Sequence, residues 1–106
     1  MRLRRKSDDD LAVRRVLVAT DRSETAERAV RFAAEMAERY EAELHVLRVL
    51  LSDDGTRAEA ARELGEYAAS LAGERGRASV VIAEDPAEAI VEAARREKAD
   101  VLVVGS

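Results

Sequence analysis

A short apolar run that stops abruptly at polar residues constrains the fold of this chain more than any other feature. The run Val16-Leu17-Val18-Ala19 is followed by Thr20-Asp21-Arg22-Ser23, and a helical spacing of apolar residues begins at once. This order predicts a buried strand that turns directly into a helix, the first unit of an open α/β sheet. In such sheets ligands bind at the carboxyl ends of the strands, beside the point where strand order reverses. We therefore expect Asp21 at the mouth of any site.

The rest of the chain alternates the same two patterns. Apolar runs predict strands over residues 15–20, 43–51, 77–83 and 101–104, with helical spacing over residues 23–40, 56–72 and 86–98 between them. Connections of this length imply right-handed crossovers between parallel strands. The predicted fold class is therefore α/β, a doubly wound parallel sheet of the Rossmann-like three-layer type. A chain of 106 residues holds one such domain.

Residues at the helix ends give further predictions. Asp21 with Glu24 competes with Ser23 as the cap of the first helix, and an Asp21 used as a cap is less free to bind a ligand. On the same helix, Met36 and Tyr40 continue the apolar face and are predicted to lie in the core.

The later helices carry capping signals of their own. Thr56 with Glu59 has the spacing of a capping box, and the stretch Asp85-Pro86-Ala87-Glu88 combines a capping Asp, a proline at the first helical position and a reciprocating Glu. Gly73 and Gly76 are predicted to end the second helix.

Composition excludes several kinds of chemistry. The chain has no cysteine and a single histidine, His45, which leaves neither a thiolate nor a histidine cluster for a metal. No acid or nucleophile near His45 can be identified from the sequence, so we expect His45 to be a strand-edge or interface residue with a local hydrogen bond and not a catalytic group. The sequence has neither a Walker or dinucleotide glycine loop after the first strand nor a nucleophile elbow. We therefore expect a protein that is not an enzyme and that holds no metal of its own.

Charge and hydropathy limit the partners. The net charge of −4 argues against nucleic acid. No apolar stretch is long enough to span a membrane, and the basic start lacks the apolar middle of a signal peptide, so we expect a cytoplasmic protein. Residues 1–12 are charged without periodicity and are expected to form a flexible tail, with residues 13–106 as the domain.

Three stretches of the sequence together make residues 13–106 resemble the universal stress protein family. They are Val16-Leu17-Val18-Ala19-Thr20-Asp21 with Ser23 and Ala26, then Ala42-Glu43-Leu44-His45-Val46-Leu47-Arg48-Val49, then Asp85-Pro86-Ala87-Glu88-Ala89-Ile90 through Ala99-Asp100-Val101-Leu102-Val103-Val104-Gly105-Ser106. Their order and spacing together are specific. The resemblance implies an adenine-nucleotide alpha-hydrolase-like fold with sheet order 3-2-1-4-5, binding of ATP or a related adenine nucleotide, dimerisation, and a role in stress responses.

The resemblance also implies the residues of a nucleotide site. Ala19, Thr20 and Asp21 would meet the adenosine, with the Asp21 carboxylate near the ribose, and Val49 would offer backbone groups to the adenine. Gly105, followed by Ser106, would begin a glycine-rich phosphate loop. This chemistry is reasonable, because a carboxylate accepts hydrogen bonds from hydroxyls and a bare glycine backbone lets amides approach phosphate oxygens.

The sequence departs from the family pattern in three ways. Arg22 stands where glycine is usual, which alters the turn or supplies a cation at the site, and Glu84 stands where glycine often precedes the Asp-Pro pair. The family's remaining loop glycines, last helix and fifth strand would follow Ser106. We therefore expect sheet order 3-2-1-4 with the fifth strand missing, and a partial pocket in which a terminal carboxylate would repel a triphosphate.

The last predicted strand would then be an exposed edge. An exposed apolar edge is a template for pairing, so we expect either a homodimer contact at Val101 to Val104 or a chain that is a fragment of a longer parent. The alternative to a nucleotide-binding regulatory module is a dimerisation or interaction module that keeps only the fold. An enzyme of a related adenine-binding α/β family is a third, weaker hypothesis.

Overall fold

The computed structural model describes residues 12–105, which form a four-stranded sheet and three α-helices. The strands are β1 (Arg15–Ala19), β2 (Glu43–Leu50), β3 (Gly76–Ile82) and β4 (Val101–Val103), and the helices are α1 (Glu24–Tyr40), α2 (Arg57–Ala72) and α3 (Pro86–Arg96). A short 3-10 turn, Gly73–Arg75, joins α2 to β3. Of the predicted tail, residues 1–12, only Ala12 lies within the described residues, and Ser106 lies outside them.

The sheet is parallel throughout, in the order β3-β2-β1-β4. This confirms the predicted α/β class and the predicted strand order. The chain moves outward from β1 to β3 and then returns past β1 to β4. Right-handed crossovers therefore place α1 and α2 on one face of the sheet and α3 on the other. The order of the strands reverses between β1 and β4, so the end of β1 is the switch point.

The two faces of the sheet bury separate apolar layers. One layer lies beneath α1 and α2. It contains Val16 and Val18 of β1, Leu44 and Val46 of β2, and helix residues such as Val30 of α1. On the opposite face Leu17 and Leu47 pack against Ala93 of α3. Because both faces of β1 are covered, it is apolar at every position after Arg15, and β2 has apolar residues at five of its eight positions.

The capping prediction holds at α3 and is wrong at α2. At α3 the Glu88 N–H donates to Asp85 Oδ1 at 3.2 Å, with Pro86 as the first helical residue. At α2 the Thr56 side chain caps nothing. Its hydroxyl donates to Asp54 Oδ1 at 2.6 Å, and its backbone N–H donates to the same oxygen at 3.1 Å. The turn before the helix has therefore captured the hydroxyl that the capping box needed.

The predicted core position of Tyr40 is also wrong, because 50% of its surface is exposed. Phe32, Met36 and Tyr40 form a stripe along one side of α1 and line a shallow hollow there. Phe32 also lies beside Val103 and Val104 at the β4 end of the sheet. The sheet ends at β4 among the described residues, so no strand lies beneath this side of the helix.

The junction of α2 and β3 is the tightest in the fold. Gly73 is the C-cap of α2, with φ of 58°. Gly76 opens β3 rather than ending the helix, and a Cβ on it would collide with the backbone carbonyl of Ala68 in α2. The glycine therefore serves close approach of the helix to the strand.

Candidate functional site

A cleft of about 520 Å³ opens at the carboxyl ends of β1 and β2, beside the switch point. Its lining residues are Ala19, Thr20, Asp21, Ser23, Thr25, Ala26, Val49, Pro86, Ile90 and Gly105. The structure thus brings together five of the six predicted site residues, and the sixth, Ser106, lies outside the described residues. A volume of this size is typical of small-molecule sites, which span roughly 300–1,000 Å³.

The lining of the cleft is apolar on one side and polar on the other. Val49 and Ile90, which also pack against the core beneath α3, supply apolar surface. The hydroxyls of Ser23 and Thr25 and the carboxylate of Asp21 supply polar groups from the turn and from the first turn of α1. An apolar slot with a few convergent polar groups suits a flat ring that carries hydroxyls.

The β1–α1 turn settles which residue caps α1. The Ala26 N–H donates to Ser23 Oγ at 3.2 Å, so Ser23 is the N-cap. The Ser23 N–H in turn donates to Asp21 Oδ1 at 2.9 Å. Asp21 therefore orders the turn without acting as the cap, and its side chain stays exposed at the mouth of the cleft.

Asp21 is a stable anion in this setting. Hydrogen bonds from the hydroxyl and then the N–H of Ser23 lower the pKa of the Asp21 carboxyl, and the positive charge of Arg48 adds to the effect. A carboxylate is an acceptor only, so Asp21 can receive hydrogen bonds from ligand hydroxyls at neutral pH.

Arg22 holds a turn conformation that favours glycine. Its φ of 69° lies in the left-handed region, which costs a residue with a Cβ about 1 kcal/mol. Two contacts offset that cost. The Arg22 N–H donates to Oγ1 of buried Thr20 at 2.9 Å, and the guanidinium carbon lies 3.8 Å from the centroid of the Tyr67 ring. An exposed cation–π contact contributes roughly 0.5–1 kcal/mol.

Gly105 reaches the cleft because it has no side chain. A Cβ on Gly105 would lie 3.1 Å from the Cβ of Ala29 and 3.4 Å from the carbonyl oxygen of Thr25. The chain after β4 therefore runs directly against the first turns of α1. This close approach places Gly105 beside the amino end of that helix, where backbone N–H groups and the helix dipole favour anions.

Sequence reasoning missed half of the lining. Ser23, Thr25 and Ala26 come from the start of α1, and Pro86 and Ile90 come from the start of α3. The available signal was topological, because every helix that follows a parallel strand begins at the same edge of the sheet. The capping signals, at Asp21 or Ser23 for α1 and at Asp85 for α3, mark those starts.

His45 makes the local hydrogen bond expected of it, although β2 is an inner strand of the sheet and not an edge. His45 Nε2 and Ser79 Oγ form a hydrogen bond of 2.6 Å, and His45 Nδ1 lies 3.9 Å from Glu97 Oε1. Burial lowers the pKa of His45, against an opposing effect from the Glu97 charge. None of the three residues lines the cleft. They join β2, β3 and the end of α3 on the other side of the molecule, as a structural link.

Within residues 12–105 no group of three or more His, Asp or Glu side chains is arranged to hold a metal ion. None of the helices described has the length and apolar character needed to cross a membrane.

Comparison with known proteins gives consistent matches. A model of the universal stress protein family matches residues 12–106. A universal stress protein solved in complex with cAMP is 28% identical over 88% of this chain and 76% of that one, with a TM-score of 0.70. One from Archaeoglobus fulgidus, solved in complex with dAMP, is 27% identical over 88% and 81%, with a TM-score of 0.67. A protein from Mycobacterium tuberculosis H37Rv is 33% identical over 89% and 72%, with a TM-score of 0.63. Comparison with curated proteins gives no match.

Proposed function

The chain belongs to the universal stress protein family, and on that basis we propose that it is a stress-response binding domain that holds ATP or a related adenine nucleotide at the end of β1. The proposed function is binding and regulation without a catalytic step. It includes a cytoplasmic location, the compartment in which such a ligand is abundant.

The observation that carries the proposal is the cleft itself. Residues far apart in sequence, among them Asp21 of the first turn, Val49 of β2 and Gly105 after β4, meet around one opening of about 520 Å³. The proposed roles follow from their chemistry. The apolar side accepts the adenine beside Val49, Ala19 and Thr20 contact the adenosine, and the Asp21 carboxylate accepts hydrogen bonds from the ribose hydroxyls.

The choice of an adenine nucleotide has support from related proteins. Two of the similar solved structures are universal stress proteins in complex with cAMP and with dAMP. The amino end of α1, lined by Ser23 and Thr25, faces the same cleft and is the end of the helix that favours an anion.

Isothermal titration of ATP, AMP and cAMP into the purified chain tests the proposal. We expect saturable binding with a dissociation constant in roughly the micromolar range. Asp21→Ala is expected to weaken binding about tenfold or more, because hydrogen bonds to a charged acceptor are strong. Asp21→Asn keeps an acceptor for the Ser23 N–H and removes the charge, so it should fall between the two.

A matched control uses a second aspartate in the same local geometry. The Gly55 N–H donates to Asp53 Oδ1 at 3.1 Å, two residues on as at Asp21, but Asp53 does not line the cleft. Asp53→Ala should therefore bind as the wild type does. No heat from any nucleotide at about millimolar concentration would end the proposal.

A dimer is the second part of the proposal, and the edge of the sheet favours it. In the described residues β4 pairs with β1 alone, so its other side is open. Leu102 and Val104 are 36% and 63% exposed there, and Phe32 lies beside Val104. An open apolar edge of this kind is a site for pairing with a second copy of the chain.

A further inference from the structure

A second cleft, of about 370 Å³, lies between β3 and α3. One side of it is the end of β3 with the residues that follow, 81–85, and the other side is a face of α3 that carries Glu88, Glu92 and Arg96. This cleft shares no lining residue with the proposed nucleotide cleft. It is therefore a separate feature of the fold, which the proposed nucleotide function does not use.

β3 is an open edge of the sheet. Within residues 12–105 it pairs with β2 alone, and it lies on the opposite side of the sheet from β4. The Ala83 N–H donates to the Leu50 carbonyl of β2 at 3.0 Å, and successive residues of a strand direct their backbone groups to alternate sides. The N–H and C=O groups of Ala78, Val80 and Ile82 therefore point away from the sheet, where another strand can pair with them.

α3 covers the inner strands and leaves β3 partly open on the same face. Ala93 of α3 packs on Leu17 of β1 and Leu47 of β2. Val81 of β3 lies on that face at the border of the layer and is only partly buried. A strand added to β3 would therefore lie beside α3, with the side chains of one face directed toward the cleft.

The cleft carries more negative than positive charge. Four carboxylates line it, those of Glu84, Asp85, Glu88 and Glu92. Within residues 12–105 none of the four is in an ion pair, whereas the one guanidinium of the lining, that of Arg96, lies 3.4 Å from Glu97 Oε2. Glu88 and Glu92 are one turn apart on α3, so they repel each other in the free chain. Cationic side chains beside them would relieve that repulsion.

The spacing of these two glutamates matches the spacing of side chains on an extended strand. Four residues of a helix advance about 6 Å, and two residues of a strand advance about 6.6 Å. Every second side chain of an added strand would point to the face that carries α3. Arginine or lysine at alternate positions would therefore meet Glu88 and Glu92 in turn.

We propose that the β3 edge binds an extended basic segment of a partner protein as an added strand, with its arginine or lysine side chains on the carboxylates of Glu88 and Glu92. The outward backbone groups of β3 supply affinity, and the two glutamates supply the preference for alternating basic residues. A second copy of this chain is a poor occupant, because its own β3 edge would bring the same carboxylates. Nucleic acid is disfavoured by the same charge.

Fluorescence anisotropy of labelled peptides titrated with the full chain tests the inference. The probe is a seven-residue peptide that alternates arginine with threonine, and we expect saturable binding with a dissociation constant of about 100 μM or tighter. A peptide of the same composition with its arginines consecutive should bind about fivefold or more weakly, since only alternate residues face α3. A probe with a fully N-methylated backbone should not bind, because it cannot pair with a strand.

Variants of the chain separate the two halves of the surface. Glu88→Gln combined with Glu92→Gln should weaken binding of the probe about tenfold or more and reduce its salt dependence. The control, Glu35→Gln combined with Glu38→Gln, removes two exposed carboxylates from one turn of α1 outside the cleft and should bind as wild type does. Ala78→Pro removes an N–H that points away from β2, so it keeps the pairing with β2 and should weaken binding.

The outcomes decide between the possible occupants. The proposal is overturned if the probe shows no saturation at about 1 mM protein, if a peptide alternating glutamate with threonine binds equally well, or if consecutive arginines bind as tightly as alternating ones. It is also overturned if the Glu88 and Glu92 double variant binds as wild type does, a test that stands even if Ala78→Pro fails to fold. A dimer that is lost in Ala78→Pro and kept in Leu102→Lys would assign the β3 edge to a second copy of the chain instead.

Discussion

His45 of β2 and Ser79 of β3 share a hydrogen bond of 2.6 Å beneath the carboxyl end of α3. Burial is the main cause that lowers the pKa of His45, and the charges of Arg77 and Arg96 act in the same direction. The carboxylates of Glu97 and Glu43 oppose it. The fold therefore holds this histidine in its neutral form more firmly than the unfolded chain does.

This pKa shift predicts a loss of stability in mild acid. Below the unfolded pKa of about 6.5 the unfolded chain gains a proton that the folded chain resists, so the free energy of unfolding falls as pH drops until it passes the lowered folded pKa. One such group changes the stability by at most about 1.4 kcal/mol per pH unit. Urea unfolding between pH 7.5 and 5 measures the slope.

The control for this prediction is His45→Gln, which keeps a side chain able to bond Ser79 and removes the titration. Its stability should vary less with pH over the same range. The carboxyls of Asp21 and Asp54, whose pKa values are lowered from 3.8, act only at more acid pH, where their contribution is lost as they protonate. Equal slopes in the two proteins would show that His45 does not titrate as described.

Substitution by alanine should have opposite effects on the stability of the domain at Gly76 and at Gly65. A Cβ on Gly76 would meet the carbonyl of Ala68, which belongs to the backbone of α2 and cannot turn aside. Gly76→Ala should therefore destabilise the domain by about 1–3 kcal/mol. Gly65, within α2, has open space at its Cβ position, so Gly65→Ala should stabilise by about 0.5–1 kcal/mol. Urea unfolding of both variants checks the pair, and a shift of the same sign in both would contradict it.

The amino ends of α2 and α3 give a second pair of variants. Asp85 accepts the Glu88 N–H, so Asp85→Ala should cost about 1 kcal/mol. Thr56 occupies the equivalent position before α2 but makes no capping bond, so Thr56→Ala should change stability by less than about 0.5 kcal/mol. Thermal unfolding followed by circular dichroism measures both. A larger loss at Thr56 than at Asp85 would rule out this assignment of the caps.

The elements that local residues determine were predictable from the sequence. The apolar run of β1 is buried on both faces, and Ser23 and Asp85 cap helices with bonds three residues away. The end of β1 placed Asp21 at the carboxyl edge of the sheet, and the family resemblance added Val49 and Gly105, which meet Asp21 in the cleft.

Contacts between residues that lie far apart in the sequence could not be predicted from it. Ser79 lies 34 residues from His45, and only the register of β2 with β3 brings them together. Tyr40 looked like a core residue because its spacing fits the apolar face of α1, but its burial depends on whether a strand lies beneath that side of the helix. Arg22 was visible as a departure from the family pattern, whereas its place on Tyr67 required α2 to be positioned.

The open edge of β4 predicts that the chain self-associates. Leu102 lies in the edge strand with 36% of its surface exposed, so a charge there should block pairing while leaving the buried face of the sheet untouched. We expect sedimentation velocity to show a dimer for wild type and a monomer for Leu102→Lys. Val91 on α3 is similarly exposed, at 46%, and lies away from the edge, so Val91→Lys should remain a dimer. A wild-type chain that stays monomeric at high concentration would exclude the edge as an interface, because pairing of this kind is favoured by mass action.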